Sequence, residues 1–447
     1  VTDAQYFEQT PTGSIDRGSL TSTALSLAGL DTHEVVEILE RLPPHRAAVL
    51  YRLLEKDRAL AVFDALEPAI QADLLAGLRA DEVRTLFASL DPDDRAQLVD
   101  EVPAKVAVRL LEDLPPADRQ DTAEVLGYPS GTVGRRMSPH FANVHPDATA
   151  AEALDLVRAQ ARRAETVYSV VVTGSGRELV GVASLREIIA SDPTVRVSEL
   201  MSEPIFVEAT EDAEKAAHLL VDHAFLLLPV VDTEQRLLGI LTLDDAAQIL
   251  REEADEDAAR AGGAEPLRRP YLSTSVFRIA KSRVVWLLIL AISGLLTVQV
   301  LEIFETTLDQ AVVLAMFIPL LTGMGGNTGS QAASTVTRAI AVGDVRSSDV
   351  GRVFLREVRV GFVLGVLLGS LGFLLTAVFY NLPTGIVIGT TIVSVCTMAA
   401  AVGGVMPLIA KAIKVDPAVF STPFITTFCD ATGLVIYFSI AKAVLGL

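Results

Sequence analysis

Five apolar stretches run almost back to back through the last third of this chain, at about 284–301, 310–335, 355–380, 384–410 and 418–445. A helix needs about 20 apolar residues to cross a bilayer core. Within that core only helices or closed barrels satisfy their own backbone groups. The stretches therefore predict an all-α domain of five membrane-spanning helices over 279–447. Arg268, Arg269, Arg278, Lys281 and Arg283 precede the first stretch, and Arg338, Arg346, Arg352, Arg356 and Arg359 lie between the second and third. Lys411 and Lys414 lie between the fourth and fifth, whereas the opposite loops hold Glu302, Glu305 and Asp309 or no charge. Basic loops stay in the cytoplasm, so everything before residue 279 is expected there, with the C-terminus outside.

The formal charge of −19 is not shared evenly. Residues 271–447 carry 11 Lys and Arg against 8 Asp and Glu, whereas residues 1–270 carry 26 against 48. A net of −22 on the soluble part repels nucleic acid and attracts cations. Both cysteines, Cys396 and Cys429, fall in the apolar part, so neither a disulfide framework nor a CxxC metal site is present and a reducing compartment is expected for the soluble part. Residues 1–24 are read as a flexible N-terminus, and residues 1–20 lack the apolar core of a signal peptide.

From Leu42 the chain advances in twelves, through Leu54, Leu66, Leu78, Leu90, Val102 and Leu114. Pro43, Glu67, Asp91, Pro103 and Pro115 follow such positions and suit the first turn of a helix. One short helix and a turn per unit predicts a helical-repeat domain over 25–130. The recurring prolines exclude one long helix.

Residues 131–254 are an internal duplication. "RRMSPHFANVHPDATAAEAL" (135–154) parallels "ELMSEPIFVEATEDAEKAAHLL" (199–220), and "YSVVVTGSGRELVGVASLREI" (168–188) parallels "LLLPVVDTEQRLLGILTLDDA" (226–246). The strand–helix–strand–strand–helix pattern resembles a tandem pair of α/β CBS domains. That resemblance implies a nucleotide such as ATP, a modulator, at Gly239, Thr242 and Asp245, and at Ser184 of the first copy, where Glu187 replaces the expected Asp. A turn and a helix cap account for the same residues without a ligand. The second copy runs into "LREEADEDAARAGG", where Glu253, Glu256 and Asp257 share a helical face. Like charges at that spacing destabilise a helix by a few tenths of a kcal/mol each, and a bound divalent cation removes the repulsion.

Two features inside the membrane part break its apolar character. "FIPLLTGMGGNTGSQAAS" (317–334) combines Pro319 and four glycines with Asn327, Thr328, Ser330 and Gln331. This predicts a broken second span lining a wet path. Asp430, in "TTFCDATG", is the sole charge between Ala418 and Ala441. An ionised Asp at mid-bilayer costs about 3 kcal/mol on insertion scales, so it is expected to hold something. Mg2+ accepts one or two carboxylates and keeps its remaining waters, and a twofold dimer would bring two such groups to one axis.

"GGNTGSQ" (325–331), "KVDPAVFSTPFITTFCDATGLVIYF" (414–438), the CBS pair and the helical repeat together resemble the MgtE magnesium transporters or channels over nearly the whole chain. The resemblance implies a homodimer in lipid, in a bacterial-type plasma membrane. Asp430 would be the pore ligand, with Asn327 beside it, and a connecting helix at about 255–278 would link the CBS pair to the pore. It also implies regulatory Mg2+ on Glu214, Asp245, Glu253, Glu256, Asp257 and Asp416, with Asp93 a weaker match, and Mn2+ and Co2+ as further candidate ions. Cytosolic Mg2+ bridging the acidic domains would hold the pore closed. A membrane-tethered nucleotide sensor without transport is the alternative, but an anchor needs neither Asp430 nor a polar second span. A membrane-embedded protease is excluded, since all six histidines lie in the soluble half and no HExxH occurs. The expected role is transport, not catalysis.

Overall fold

A computed structural model describes residues 27, 29–267, 269–271, 274–341, 343–413 and 422–446. They form two compact units: Val1–Glu253 with Arg268–Thr274, and Ala254–Leu267 with Ser275–Leu447.

The first unit opens with helices α1 (Thr32–Arg41), α2 (Pro44–Tyr51), α3 (Lys56–Asp64), α4 (Pro68–Ala76), α5 (Ala80–Ser89), α6 (Pro92–Glu101), α7 (Ala104–Glu112) and α8 (Pro116–Leu126). Each starts twelve residues after the last, as the leucine spacing predicts. Proline stands at the start of α2, α4, α6 and α8, where its missing N–H costs nothing. The repeat also supplies its own helix ends. Gln71 donates to the Phe63 carbonyl (2.7 Å), Arg95 to that of Phe87 (3.0 Å) and Arg119 to that of Leu111 (2.9 Å), each eight residues back. These bonds satisfy carbonyls that a helix terminus leaves orphaned. Leu42, Leu66, Leu90 and Leu114 are buried in one continuous core with Phe63, Phe87 and Leu98.

The duplication folds as two three-stranded sheets: β1 (Asn143–Val144), β2 (Ser169–Thr173) and β3 (Leu179–Ser184), then β4 (Val207–Glu208), β5 (Leu227–Val231) and β6 (Leu237–Thr242). In each the first strand is parallel to the second and the third antiparallel. The accompanying helices are α9 (Ala150–Gln160), α10 (Leu185–Ala190), α11 (Val197–Leu200), α12 (Ala213–Asp222) and α13 (Leu243–Ala261). The copies exchange edges: Ser138, ahead of the first sheet, pairs with Ile240 of β6, and Ser202, ahead of the second, pairs with Val182 of β3. A Cβ on Gly239 would lie 2.6 Å from the Ser138 carbonyl oxygen, and one on Gly181 would lie 2.7 Å from the Met201 sulfur. Close backbone approach therefore requires Gly239, while at Gly181 the Met201 side chain is the nearest neighbour.

The connecting helix expected at 255–278 is not seen at those bounds. α13 ends at Ala261 and the first span begins at Val276. Gly263 adopts a left-handed conformation (φ 67°), with Ala264 N–H bonding the Ala259 carbonyl and Gly262 N–H that of Ala258. This is a Schellman-type stop, and Pro266 and Pro270 follow it.

Among the described residues of the second unit, five helices are long and apolar enough to cross a membrane. They are Val276–Ile303, Ile318–Ala341, Val350–Phe379, Leu382–Ala412 and Thr422–Leu445. The second span is one continuous α-helix, not the broken one its glycines predict. Its small residues pack instead of bending. A Cβ on Gly329 would meet the Ile425 side chain at 2.9 Å, and one on Gly403 of the fourth span would sit 2.1 Å from the Gly329 carbonyl oxygen. Close helix contact outweighs weak helix propensity here.

Candidate cation sites

Two carboxylate groups are set apart by their surroundings. The first joins the helical repeat to the CBS pair. Asp93 and Asp94 occupy the first turn of α6, and Asp245 that of α13. Carboxylates suit helix N-termini because free N–H groups and the helix dipole oppose their charge. Here both helix starts meet, and one oxygen from each of the three carboxylates lies within 4.8 Å of the others. Asp93 is 1% exposed and its Oδ1 accepts no hydrogen bond from the described residues. The Thr242 hydroxyl donates to Asp245 Oδ2 at 2.5 Å. The elements are bolted together around this point. Arg135 makes a bidentate contact with Asp100 of α6 (2.7 and 2.8 Å), and Arg136 reaches both Gln97 of α6 and Glu252 of α13.

Burial and mutual repulsion favour protons on such a group. Burial, then Glu165 and Asp245, raises Asp93 well above the usual carboxylate range. Burial, with Asp64 and Asp245 nearby, pushes Asp94 up to about 8. Burial lifts Asp245 to about 6 against the opposing Thr242 bond. A group that resists ionisation this strongly is a candidate to exchange its protons for a divalent cation, for which hard oxygen donors are the right ligands.

The second group is Asp430 alone. It is half-buried midway along the last span, and its Oδ1 is shielded and accepts no hydrogen bond from the described residues. One turn earlier Thr426 shares a hydroxyl contact of 3.2 Å with Ser330 of the second span. Asn327 is exposed on that span.

The remaining expected ligands that are described lie on α12 and farther along α13. Glu214 lies on α12, its carboxylate 3.8 Å from the His218 ring. Glu253, Glu256 and Asp257 follow one another along α13, and Glu256 forms an ion pair with Arg260. Asp416 lies outside the described residues. Of the nucleotide candidates, Ser184 precedes α10 and Thr242 is buried. Asp94 was missed in the sequence because adjacent helical residues point about 100° apart, which argues against a shared ligand when a second helix is not in view.

The fold defines a multi-span membrane protein with an acidic soluble part made of a helical repeat and a CBS pair. Residues 318–440 match the family model for MgtE divalent cation transporters, 30–131 that for the MgtE intracellular N domain, and 132–193 and 197–252 that for the CBS domain. The magnesium transporter MgtE of Thermus thermophilus is 38% identical over 325 residues, covering 71% of each chain. That of Enterococcus faecalis is 35% identical over 321 residues, covering 71% of this chain and 70% of its own. The crystal structure of the cytosolic domain of the Mg2+ channel MgtE in complex with ATP shares 32% identity, with a TM-score of 0.49 over 52% of this chain and 96% of that one. The chain belongs to the MgtE family of magnesium transporters.

Proposed function

We propose that this chain carries Mg2+ across the plasma membrane through a pore shared by two copies, each supplying Asp430, and that cytosolic Mg2+ closes it. The supporting observation is the carboxylate oxygen of Asp430 that accepts no hydrogen bond from the described residues, on the sole charged side chain between Ala418 and Ala441. A hydrated Mg2+ needs little more than this, since it sheds water reluctantly and is held through one or two carboxylates. Asn327 adds a neutral oxygen beside the path.

Regulation resides in the Asp93–Asp94–Asp245 group. An ion there draws α6 and α13 together, so it binds the compact state of the soluble unit more tightly and shifts the population toward it. Glu214, Glu253, Glu256, Asp257 and Asp416 would extend the same acidic response. Many weak sites acting together make the dependence on Mg2+ steep. A nucleotide such as ATP bound near Thr242 would compete with the ion for Asp245. The basic loops support a cytoplasmic side for both soluble domains, with the C-terminus outside.

The test is Mg2+ flux into proteoliposomes followed with an internal Mg2+ dye, with and without millimolar Mg2+ on the soluble-domain side. Flux is expected above protein-free vesicles and lower with Mg2+ on that side. Equal flux in protein-free vesicles would refute transport, and indifference to Mg2+ would refute gating.

A further inference from the structure

The chain between α13 and the first span changes unit twice. Ala254–Leu267 belongs with the membrane-spanning unit, Arg268–Thr274 with the soluble one, and from Ser275 the chain is back in the membrane-spanning unit. Each piece is fixed inside its own unit. The Glu265 N–H donates to the Ser282 carbonyl at 3.0 Å, and the Glu265 carboxylate accepts a bond of 3.1 Å from the Trp286 indole, both on the first span. Four residues on, the Arg269 guanidinium holds Asp73 of α4 through two bonds, Nε to Oδ2 at 2.6 Å and Nη2 to Oδ1 at 2.8 Å. The two side chains are 18% and 30% exposed, so this is a shielded bidentate pair and not a screened surface contact. Asp73 follows the whole repeat, because Ile70 and Leu74 on either side of it lie in the repeat's continuous core. Beyond Arg269, Thr274 closes a turn on the Pro270 carbonyl with its hydroxyl (3.0 Å) and its amide (3.2 Å). Ser275 then caps the first span by accepting the Arg278 N–H at 3.4 Å.

We propose that the Arg269–Asp73 pair is a latch, through which the helical repeat holds the chain at the entrance to the first span. A helix would carry both push and pull, but α13 stops at Ala261 and the first span starts at Val276. A strap without helix carries only a pull, and only when both of its ends are held. Glu265 is the held end on the membrane side and Arg269 the held end on the soluble side. The four residues that join them include Pro266, which leaves little slack. The latch itself takes no ion, since the Asp73 carboxylate is already engaged by Arg269. The inference rests on the reading that Mg2+ docks the repeat and so favours closure. It adds the route by which that docking reaches the first span.

Trp286 is the single tryptophan of the chain and sits at the membrane-side anchor, so its emission reads the strap directly. Emission of the full-length protein in lipid nanodiscs is followed across a Mg2+ titration, beside dye-reported Mg2+ flux in proteoliposomes. Wild type is compared with Asp73→Asn, Arg269→Gln and the double variant. Mg2+ is expected to change the emission of wild type. Each single variant should raise the Mg2+ midpoint of both emission and closure about three- to fivefold, with peak flux preserved. The double variant should be no worse than either single one, because a latch is broken only once. Wild-type midpoints in the single variants, with wild type closing in Mg2+, would overturn the latch and leave the gating reading standing. Shifts that multiply in the double variant would show two independent residues and overturn it as well. A wild-type pore that ignores Mg2+ would remove the gating reading, and the latch with it.

Discussion

Asp430 is the sole charge between Ala418 and Ala441, whereas Asp93, Asp94 and Asp245 crowd within 4.8 Å of one another. Both leave a shielded oxygen without a hydrogen bond, yet the two arrangements suit opposite tasks. A single carboxylate per chain binds a cation loosely and keeps its waters, so the ion leaves again. Several carboxylates from separate elements bind only when those elements meet, so the ion reports and stabilises an arrangement. Solitude favours passage, and crowding favours sensing.

The sharpest way to break this comparison is to remove the solitary member. Asp430→Asn keeps the size and loses the charge, and no neighbour in the span replaces it. Mg2+ flux in proteoliposomes should fall about 100-fold, the scale of one lost charged ligand at about 3 kcal/mol. The Mg2+ midpoint for protease protection of the soluble unit should stay where it is. Flux that persists would mean that the ion passes elsewhere.

Removing one member of the crowd should do the reverse. Asp94→Asn or Asp245→Asn is expected to raise the Mg2+ concentration that closes the pore about tenfold, with peak flux preserved. Loss of peak flux in either variant would erase the division between passage and sensing.

Acidity sharpens the comparison further. Asp94 is raised to about 8 and Asp245 to about 6, while an unfolded or undocked Asp stays near its ordinary value. The compact state therefore holds the extra protons. Without Mg2+, the proton contribution to docking is fully present below about pH 4 and is lost as pH rises through about 6 to about 8. Since protons and the ion compete for the same oxygens, the Mg2+ midpoint should drop severalfold between pH 6 and pH 8.5. Trypsin protection of the soluble unit at several pH values measures both trends, and a midpoint independent of pH would contradict the assignment.

The smallest effect is expected from Thr242→Val. It removes the 2.5 Å bond to Asp245 and so loosens one ligand without deleting it. A shift of about three- to tenfold in the Mg2+ midpoint corresponds to a net hydrogen bond of about 1 kcal/mol.

What could be read from the sequence depended on whether a signal is local. The helical repeat was legible because proline and leucine recur at fixed offsets within each twelve-residue unit, and α1–α8 keep that step. The CBS duplication was legible because its two halves carry the same motifs in the same order. The second span was misjudged because Gly325, Gly326 and Gly329 lower helix propensity locally. What makes them favourable lies on the fourth and fifth spans, at Val395, Ala399, Ile425 and Thr426. The stop after Ala261 was written in Gly262–Gly263 and was overlooked beside the acidic run. Asp93 and Asp245 were singled out by the family resemblance. Asp94 became visible only with the meeting of two helix starts, which no spacing along the chain encodes.

The exchanged edges of the CBS pair also set a clock on synthesis. Ser138 emerges from the ribosome well before its partner Ile240, which follows about a hundred residues later, a wait of roughly 5–20 s at ordinary elongation rates. Until then the segment joining α8 to the first sheet has no strand to lean on, and Asp245 has not yet been made. The meeting of Asp93, Asp94 and Asp245 is thus among the last soluble features to form, shortly before the first span, beginning at Val276, reaches the membrane. A nascent chain stalled with residue 250 already clear of the ribosome should therefore gain Mg2+-dependent protease resistance, whereas one stalled with only residue 235 clear should show none.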